Sequence, residues 1–256
     1  MLPQWDSVLA ARWRPSRQLL KPVTALDPVV PDDLLGIDVQ KQKLIDNTRR
    51  FLDGQPSNHA LLWGSRGTGK SSLVKAVFNA FAADGLRLIE VDRDDLPGLP
   101  DIVDELRDSQ WRFLIYCDDL SFSDDSDGYR HLKTVIEGSI ELPPENVRIY
   151  ATSNRRHLVP EYMEDNLEAQ NHGREIHFSD RVEERISLSD RFGLCLSFYP
   201  ISEPDYFAII DHLFPEVTDR EQLHVLARRF SMEKGVRSGR TARQFFNAFS
   251  GTFTGT

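Results

Sequence analysis

The stretch Gly64-Ser65-Arg66-Gly67-Thr68-Gly69-Lys70-Ser71 fits G-x-x-x-x-G-K-[ST] at every fixed position. Its flanks constrain the fold further. The apolar run Ala60-Leu61-Leu62-Trp63 leads in, and a helical pattern starting Ser71-Ser72-Leu73-Val74 leads out. A strand, a glycine-rich loop and a helix in that order make an anion cradle. Gly67 and Gly69 let the backbone bend so that successive N–H groups face phosphate oxygens. The helix N-terminus adds partial positive charge. Lys70 is then placed to neutralise the β- and γ-phosphates, and the Ser71 hydroxyl to ligate Mg²⁺. Ser65, Arg66, Thr68 and Ser72 belong to the same binding stretch. No Asn/Thr-Lys-x-Asp run is present to read guanine, so the expected ligand is ATP with Mg²⁺.

Four more apolar runs follow the first: Leu86–Val91, Trp111–Cys117, Val147–Thr152 and Gly193–Phe198. They are nearly continuous rather than alternating, the pattern of strands covered on both faces. Helical patterns lie between them at Ser71–Ala83, Pro100–Asp108 and Tyr129–Glu137, and an amphipathic helix precedes them within Asp32–Leu52. Alternating strands and helices predict a parallel sheet sandwiched by helices. Beyond Pro200 the pattern is wholly helical, at Pro204–Leu213, Asp219–Met232 and Thr241–Phe249. The expected organisation is an arm and linker over 1–30, an α/β core over 31–200 and a helical lid over 201–256. Residues 161–190 carry nine acidic and three basic side chains and read as an exposed insertion.

Chemistry-bearing residues gather at the ends of the apolar runs. Phe113-Leu114-Ile115-Tyr116-Cys117 delivers Asp118-Asp119. Asp118 is suited to hold Mg²⁺, and Asp119 to orient an attacking water. Val147–Thr152 ends in Ser153-Asn154, where an amide can reach the γ-phosphate or that water. Arg191, in Ser189-Asp190-Arg191-Phe192-Gly193, is placed to serve a neighbouring subunit's γ-phosphate. Arg240 opens the last helical segment and can reach back to the nucleotide, with Arg243 one turn on as a substitute.

Composition narrows the partners. The net charge is −9, which argues against a broad nucleic-acid surface. Residues 1–22 nevertheless hold Arg12, Arg14, Arg17 and Lys21 against Asp6, with Trp5 and Trp13 interleaved. This is either a nucleic-acid or partner-binding arm, or a helix that packs its Trp and Leu side chains on the domain with its arginines in solvent. Cys117 and Cys195 both read as small buried residues. No run of about 18 apolar residues appears, and the N-terminus lacks the features of a signal peptide. The expectation is a cytoplasmic protein with no membrane segment.

Together these segments resemble the AAA+ ATPases. On that resemblance Gly64–Ser71 is Walker A, Phe113–Asp119 is Walker B and Asn154 is sensor 1. Arg191 is the arginine finger and Arg240 is sensor 2. The resemblance covers roughly Pro31 to Phe249. It implies a P-loop three-layer sandwich with a five-stranded parallel sheet in the order 5-1-4-3-2, plus a small C-terminal helical lid. It also implies that Leu34-Leu35-Gly36-Ile37, with Leu35 and Gly36 at its centre, packs on adenine. An arginine acting in trans implies a homo-oligomer, a ring or a transient assembly. More narrowly, the sequence looks like a bacterial AAA+ family of unassigned function. It shares Asn47-Thr48, Cys117–Phe122, Ala151–Leu158 and Leu188–Gly193 with that family.

One departure bears on activity. Asp119 stands where most AAA+ enzymes have Glu, and its side chain is shorter by one methylene, which changes its reach to water. The expected activity is Mg-dependent ATP hydrolysis, of low turnover, coupled to remodelling or loading an unidentified macromolecule. Two alternatives stand beside it: an ATP-binding switch or adaptor with little hydrolysis, and a nucleic-acid-associated loader.

Overall fold

The computed structural model contains seven strands in one sheet. They are β1 (Ala10–Arg14), β2 (Leu19–Pro22), β3 (Ala60–Gly64), β4 (Leu86–Glu90), β5 (Arg112–Cys117), β6 (Val147–Ser153) and β7 (Leu194–Phe198). Their order is β2-β1-β4-β5-β6-β3-β7. Only β2 against β1 is antiparallel. The structure describes residues 2–121, 128–138, 140–155 and 188–253, with only the backbone of Tyr129. Most of the acidic 161–190 stretch, and Phe122 and Arg156 to Leu158 of the shared segments, lie outside these residues.

The five apolar runs are β3 to β7. Taken alone they lie in the order β7-β3-β6-β5-β4, which is 5-1-4-3-2. The sheet is larger than the five strands expected because residues 10–22 add two more. Those residues carry too many arginines and prolines to read as strands. They pair because β4 would otherwise be left with an open edge. β1 runs parallel to β4, with Ala10 opposite Leu88 and Arg12 opposite Glu90. Arg12 then meets Asp92 at 2.8 Å and Glu90 at 3.6 Å.

The N-terminal segment also enters the core. Trp5 is 5% exposed, and its ring packs edge-on against Phe113 at 5.1 Å. The buried Arg87 guanidinium stacks on Trp111 at 3.7 Å and donates through Nε to the Trp5 carbonyl at 2.7 Å.

Helices cover both faces. α1 (Asp38–Leu52) and α2 (Lys70–Phe81) lie on one side. α3 (Leu99–Leu106) and α4 (Gly128–Glu137) lie on the other. β5 shows the period-2 alternation of a strand. Phe113, Ile115 and Cys117 enter one core, and Leu114 and Tyr116 the other. Cys195 departs from expectation, because it is exposed. On the edge strand β7 its neighbours Leu194, Leu196 and Phe198 turn to the α1–α2 side, so alternation sends Cys195 to the opposite face.

The Asn47-Thr48 pair locks α1 to the sheet. Asn47 Nδ2 donates to the Tyr150 hydroxyl at 3.0 Å, and Thr48 Oγ1 lies 2.8 Å from that hydroxyl. Asn47 Oδ1 also accepts from the Asn58 amide at 2.9 Å, just ahead of β3.

After Pro200 come α5 (Glu203–Leu213), α6 (Arg220–Glu233) and α7 (Gly239–Phe253). They share their own apolar cluster, with Tyr206, Ile210, Leu223 and Phe245 fully buried. Ser202 caps α5 by accepting from the Asp205 amide at 3.2 Å, with Pro204 in the first turn.

The integration of the N-terminal segment is directly testable. Trp5→Ala should lower stability in chemical denaturation by about 3–5 kcal/mol, the usual cost of emptying an aromatic core site. A loss under about 1 kcal/mol, typical of a surface change, would mean that the segment is peripheral.

Candidate nucleotide site

The phosphate loop is fixed from behind by β7. Gly64 sits at φ +128, and a Cβ there would collide with the backbone of Phe198. The Ser65 amide donates to the Phe198 carbonyl at 2.9 Å. Gly69, at φ +96, is the left-handed residue from which α2 springs. Among the described residues, the amides of Gly67, Gly69, Lys70 and Ser71 donate to no protein acceptor. They are the unsatisfied donors of a helix start, turned inward around a hollow.

Lys70 is buried, and its Nζ donates to the carbonyls of Gly64 at 2.8 Å and Ser65 at 2.7 Å, with Asn154 Oδ1 at 3.4 Å. Burial lowers its pKa, against the opposing pull of Asp118 and Asp119. Partial desolvation makes an added phosphate a more favourable partner for this ammonium.

Next to it lies a cluster of oxygens. Ser71 Oγ donates to Asp118 Oδ1 at 2.8 Å, and the Thr152 hydroxyl donates to the same oxygen. Thr152 Oγ1 in turn accepts the Asp119 amide at 3.0 Å. This ties the end of β5 to β6. Burial pushes the Asp118 carboxyl up, but hydrogen bonds from Thr152, Ser71 and the Asp119 backbone outweigh it. Asp118 therefore stays below its ordinary value. The Tyr116 hydroxyl is close enough to bias this carboxylate, yet it makes no well-aligned hydrogen bond. Burial raises its own pKa.

Asp119 adopts φ +50, a left-handed conformation unusual for a residue with a side chain. Its carboxylate accepts from Asn154 Nδ2. Non-glycine residues held this way often mark functional sites.

These groups line one end of a cleft of about 780 Å³. Arg66, Arg240 and Arg243 join Lys70 around it. The lid approaches closely here, with Ser238 Oγ and the Arg240 Cβ beside Gly67. Its apolar lining comes from Leu34, Leu35 and Ile37 of the core and from Ile201, Ile209 and Leu213 on the lid side. A cleft lined by cationic groups and by apolar side chains is of the kind that takes a phosphorylated nucleoside.

Most of the residues singled out in the sequence meet here. Arg66 to Ser72, Asp118, Asp119, Asn154, Leu35 and Arg240 all line the cleft. Gly64 and Ser65 act from behind through their carbonyls. Gly36 shapes the turn at φ +76, facing the Asp205 side chain. Arg191 is not among the lining residues and pairs instead with Glu137 at the end of α4. Thr152 was passed over in the sequence. A threonine at a strand end carries no signal, and only the β5–β6 register, Cys117 opposite Ala151, brings it beside Asp118.

A hard divalent cation prefers oxygen ligands, and Ser71 with Asp118 offers such a pair, already 2.8 Å apart. Among the described residues no group of three or more His, Cys, Asp or Glu could hold a metal. A cation here would rely on nucleotide oxygens for the rest of its shell. No helix among the described residues is long and apolar enough to cross a membrane.

The sheet order, the phosphate loop and the helical lid are those of the AAA+ P-loop ATPase fold. Solved structures bear this out. The Aeropyrum pernix ORC1 protein, solved in complex with DNA, aligns at TM-score 0.56 and 17% identity over 82% of this chain and 58% of its own. A DNA replication initiation factor gives 0.54 and 17%, over 88% and 65%. A point mutant of Thermotoga maritima RuvB gives 0.51 and 13%, over 88% and 74%. At these identities the likeness is one of fold. This chain belongs to the family described as "Protein of unknown function (DUF815)", whose model matches residues 6–253. No functionally curated protein matches it.

The Thr152 bridge makes a pH-dependent prediction for the protein free of nucleotide and metal. A carboxyl held below its unfolded value adds stability above that value, and this is lost as pH falls through the folded value. Thr152→Val should therefore cost about 1–3 kcal/mol at neutral pH for the lost hydroxyl. The gap to wild type should narrow as pH falls below about 4, the ordinary aspartate value. A gap constant from pH 7 to 3 would show that the hydroxyl does not bias Asp118.

Proposed function

We propose that this protein binds ATP with Mg²⁺ in the cleft and hydrolyses it, and that neighbouring subunits complete one another's sites through Arg191. The observation that carries the reading is the convergence, at one end of the cleft, of Lys70, the Ser71–Asp118 pair and the Asp119–Asn154 pair. Unsatisfied loop amides lie beside them, and apolar side chains including Leu35 line the same cleft.

The roles follow from the chemistry. Leu35 and its apolar neighbours take the adenine, and the loop amides and Lys70 take the β- and γ-phosphates. Ser71 and Asp118 would hold Mg²⁺, which when bound offsets charge on the phosphate oxygens. Asp119 and Asn154 place the water that attacks the γ-phosphorus, with ADP as the leaving group. Asp119 accepts a hydrogen bond from the water, and Asn154 fixes the carboxylate. Arg66, Arg240 and Arg243 add positive charge where it builds up in the transition state. Arg191, held away from its own cleft by Glu137, is available in orientation only to another chain's site.

The shorter carboxylate at Asp119, and its engagement with Asn154, favour a second reading in which the chain holds ATP as a switch and turns it over rarely. The substrate of either device is an unidentified macromolecule. The ORC1 structure contains DNA, and half-buried Arg14 with exposed Arg17 and Lys21 sit around the β1–β2 turn. A nucleic-acid partner is therefore the class to test first, by salt-dependent binding.

The deciding experiment measures Mg-ATP hydrolysis per subunit against protein concentration. For wild type the specific rate should rise with concentration. Lys70→Ala should abolish nucleotide binding. Arg191→Ala should bind ATP normally but stay roughly 10³-fold slower at every concentration. ATP binding with a flat, near-zero rate would establish the switch instead. Absence of binding by wild type would sink both readings.

A further inference from the structure

Two carboxylates on the segment before α1 line the cleft, those of Asp27 and Asp33. They are not equally free. Asp27 is engaged on both oxygens, Oδ2 by Lys75 Nζ at 3.3 Å and Oδ1 by the Val29 amide at 3.4 Å. Asp33 Oδ2 accepts the Val30 amide at 3.0 Å, which holds the side chain against its own turn. Asp33 Oδ1 accepts no hydrogen bond among the described residues. What faces it is His212 Nε2, 3.9 Å away.

His212 comes from the lid, near the end of α5. Asp205, Ile209 and His212 recur at the spacing that shares one helical face. Asp205 packs beside Gly36, and Ile209 and His212 both line the cleft, so this face of α5 looks onto the segment around Asp33. Asp33 directly precedes Leu34 and Leu35, and His212 directly precedes Leu213, and all three leucines line the cleft. The polar pair therefore sits beside apolar lining suited to a flat base. At 3.9 Å its two atoms are too far apart for a direct hydrogen bond. They offer an acceptor next to a donor, because a carboxylate oxygen accepts and an imidazole N–H donates. Adenine presents the complement along one edge, where the N6 amine donates and N7 accepts. Guanine presents two acceptors there, O6 and N7, and its O6 would face the carboxylate.

We propose that Asp33 and His212 are the residues that select the base. Asp33 Oδ1 accepts from the N6 amine of adenine, and His212 Nε2 donates to N7. Asp33 belongs to the core and His212 to the lid, so adenine is the base that joins the two sides of the cleft. This inference rests on the reading of the cleft as an Mg-ATP site and adds the groups that choose its nucleotide.

The test is competition of unlabelled triphosphates against a ribose-labelled fluorescent ATP, read as binding. Wild type should bind ATP on the order of tenfold tighter than GTP. It should favour ATP by a similar factor over purine riboside triphosphate, which lacks the amine, since that is the usual worth of a hydrogen bond to a charged group. It should bind 7-deaza-ATP, which lacks the N7 acceptor, roughly threefold to tenfold more weakly than ATP. Asp33→Asn keeps an oxygen for the Val30 amide and turns an NH₂ group toward the base. Its preference for ATP over GTP should fall by about tenfold, with a melting temperature close to that of wild type. His212→Ala should bind ATP and 7-deaza-ATP alike. The proposal is overturned if wild type binds the amine-less triphosphate as tightly as ATP, if Asp33→Asn keeps the wild-type ATP-to-GTP ratio, or if His212→Ala still discriminates against 7-deaza-ATP. Discrimination by wild type against 2′-deoxy-ATP alone would put the pair at the sugar and overturn it too. If wild type binds no triphosphate at all, the Mg-ATP reading itself falls, and the proposal with it.

Discussion

The hydrogen bonds that join Asp118 to Ser71 and Thr152 connect three parts of the chain that are far apart in sequence. Ser71 opens α2, Asp118 ends β5, and Thr152 lies near the end of β6. Each is placed by an element buried in the core, so the oxygens inherit the rigidity of the sheet. The arrangement depends on parallel pairing. Only when β5 and β6 run the same way and in this register do their carboxyl ends arrive level with the phosphate loop. The same geometry explains why open α/β sheets bind ligands at that edge.

The remaining elements serve this edge from a distance. β7 braces the loop from behind through the Phe198 carbonyl. The Asn47, Thr48 and Tyr150 network anchors α1, which stands on the same face as α2. The lid brings Ser238 and Arg240 against Gly67, where a Cβ would lie only 3.0 Å from Ser238 Oγ. Arg191 stands apart. Its pairing with Glu137 puts it on α4's side of the molecule, outside the residues that line the cleft.

The fold is widely shared, and this limits what likeness can say. ORC1 and the replication initiation factor match only 58% and 65% of their own lengths here. The family of this chain carries no assigned function. A fold hosts many activities, and function must be argued from the site. Here the site argues for nucleotide chemistry more strongly than for any particular macromolecule.

Much was legible in the sequence because some residues have few structural alternatives. A glycine-rich loop ending in Lys70-Ser71 between a strand and a helix folds into an anion cradle from local sequence alone. Continuous apolar runs need cover on both faces, which set the parallel core, whereas the strand order was legible only through the resemblance to the AAA+ ATPases. The chain end after Pro200 could only be helical. What the sequence left open depended on pairing between distant segments. Residues 10–22 became strands because β4 had an edge to cover, and their local composition opposes that assignment. Cys195 is exposed because β7 is an edge strand, which alternation alone cannot reveal. Thr152 came to line the cleft because of the β5–β6 register, which brings it beside Asp118. Local chemistry fixed which residues could handle phosphate. Long-range packing decided which others would be brought beside them, because distance along the chain carries no information about register across a sheet.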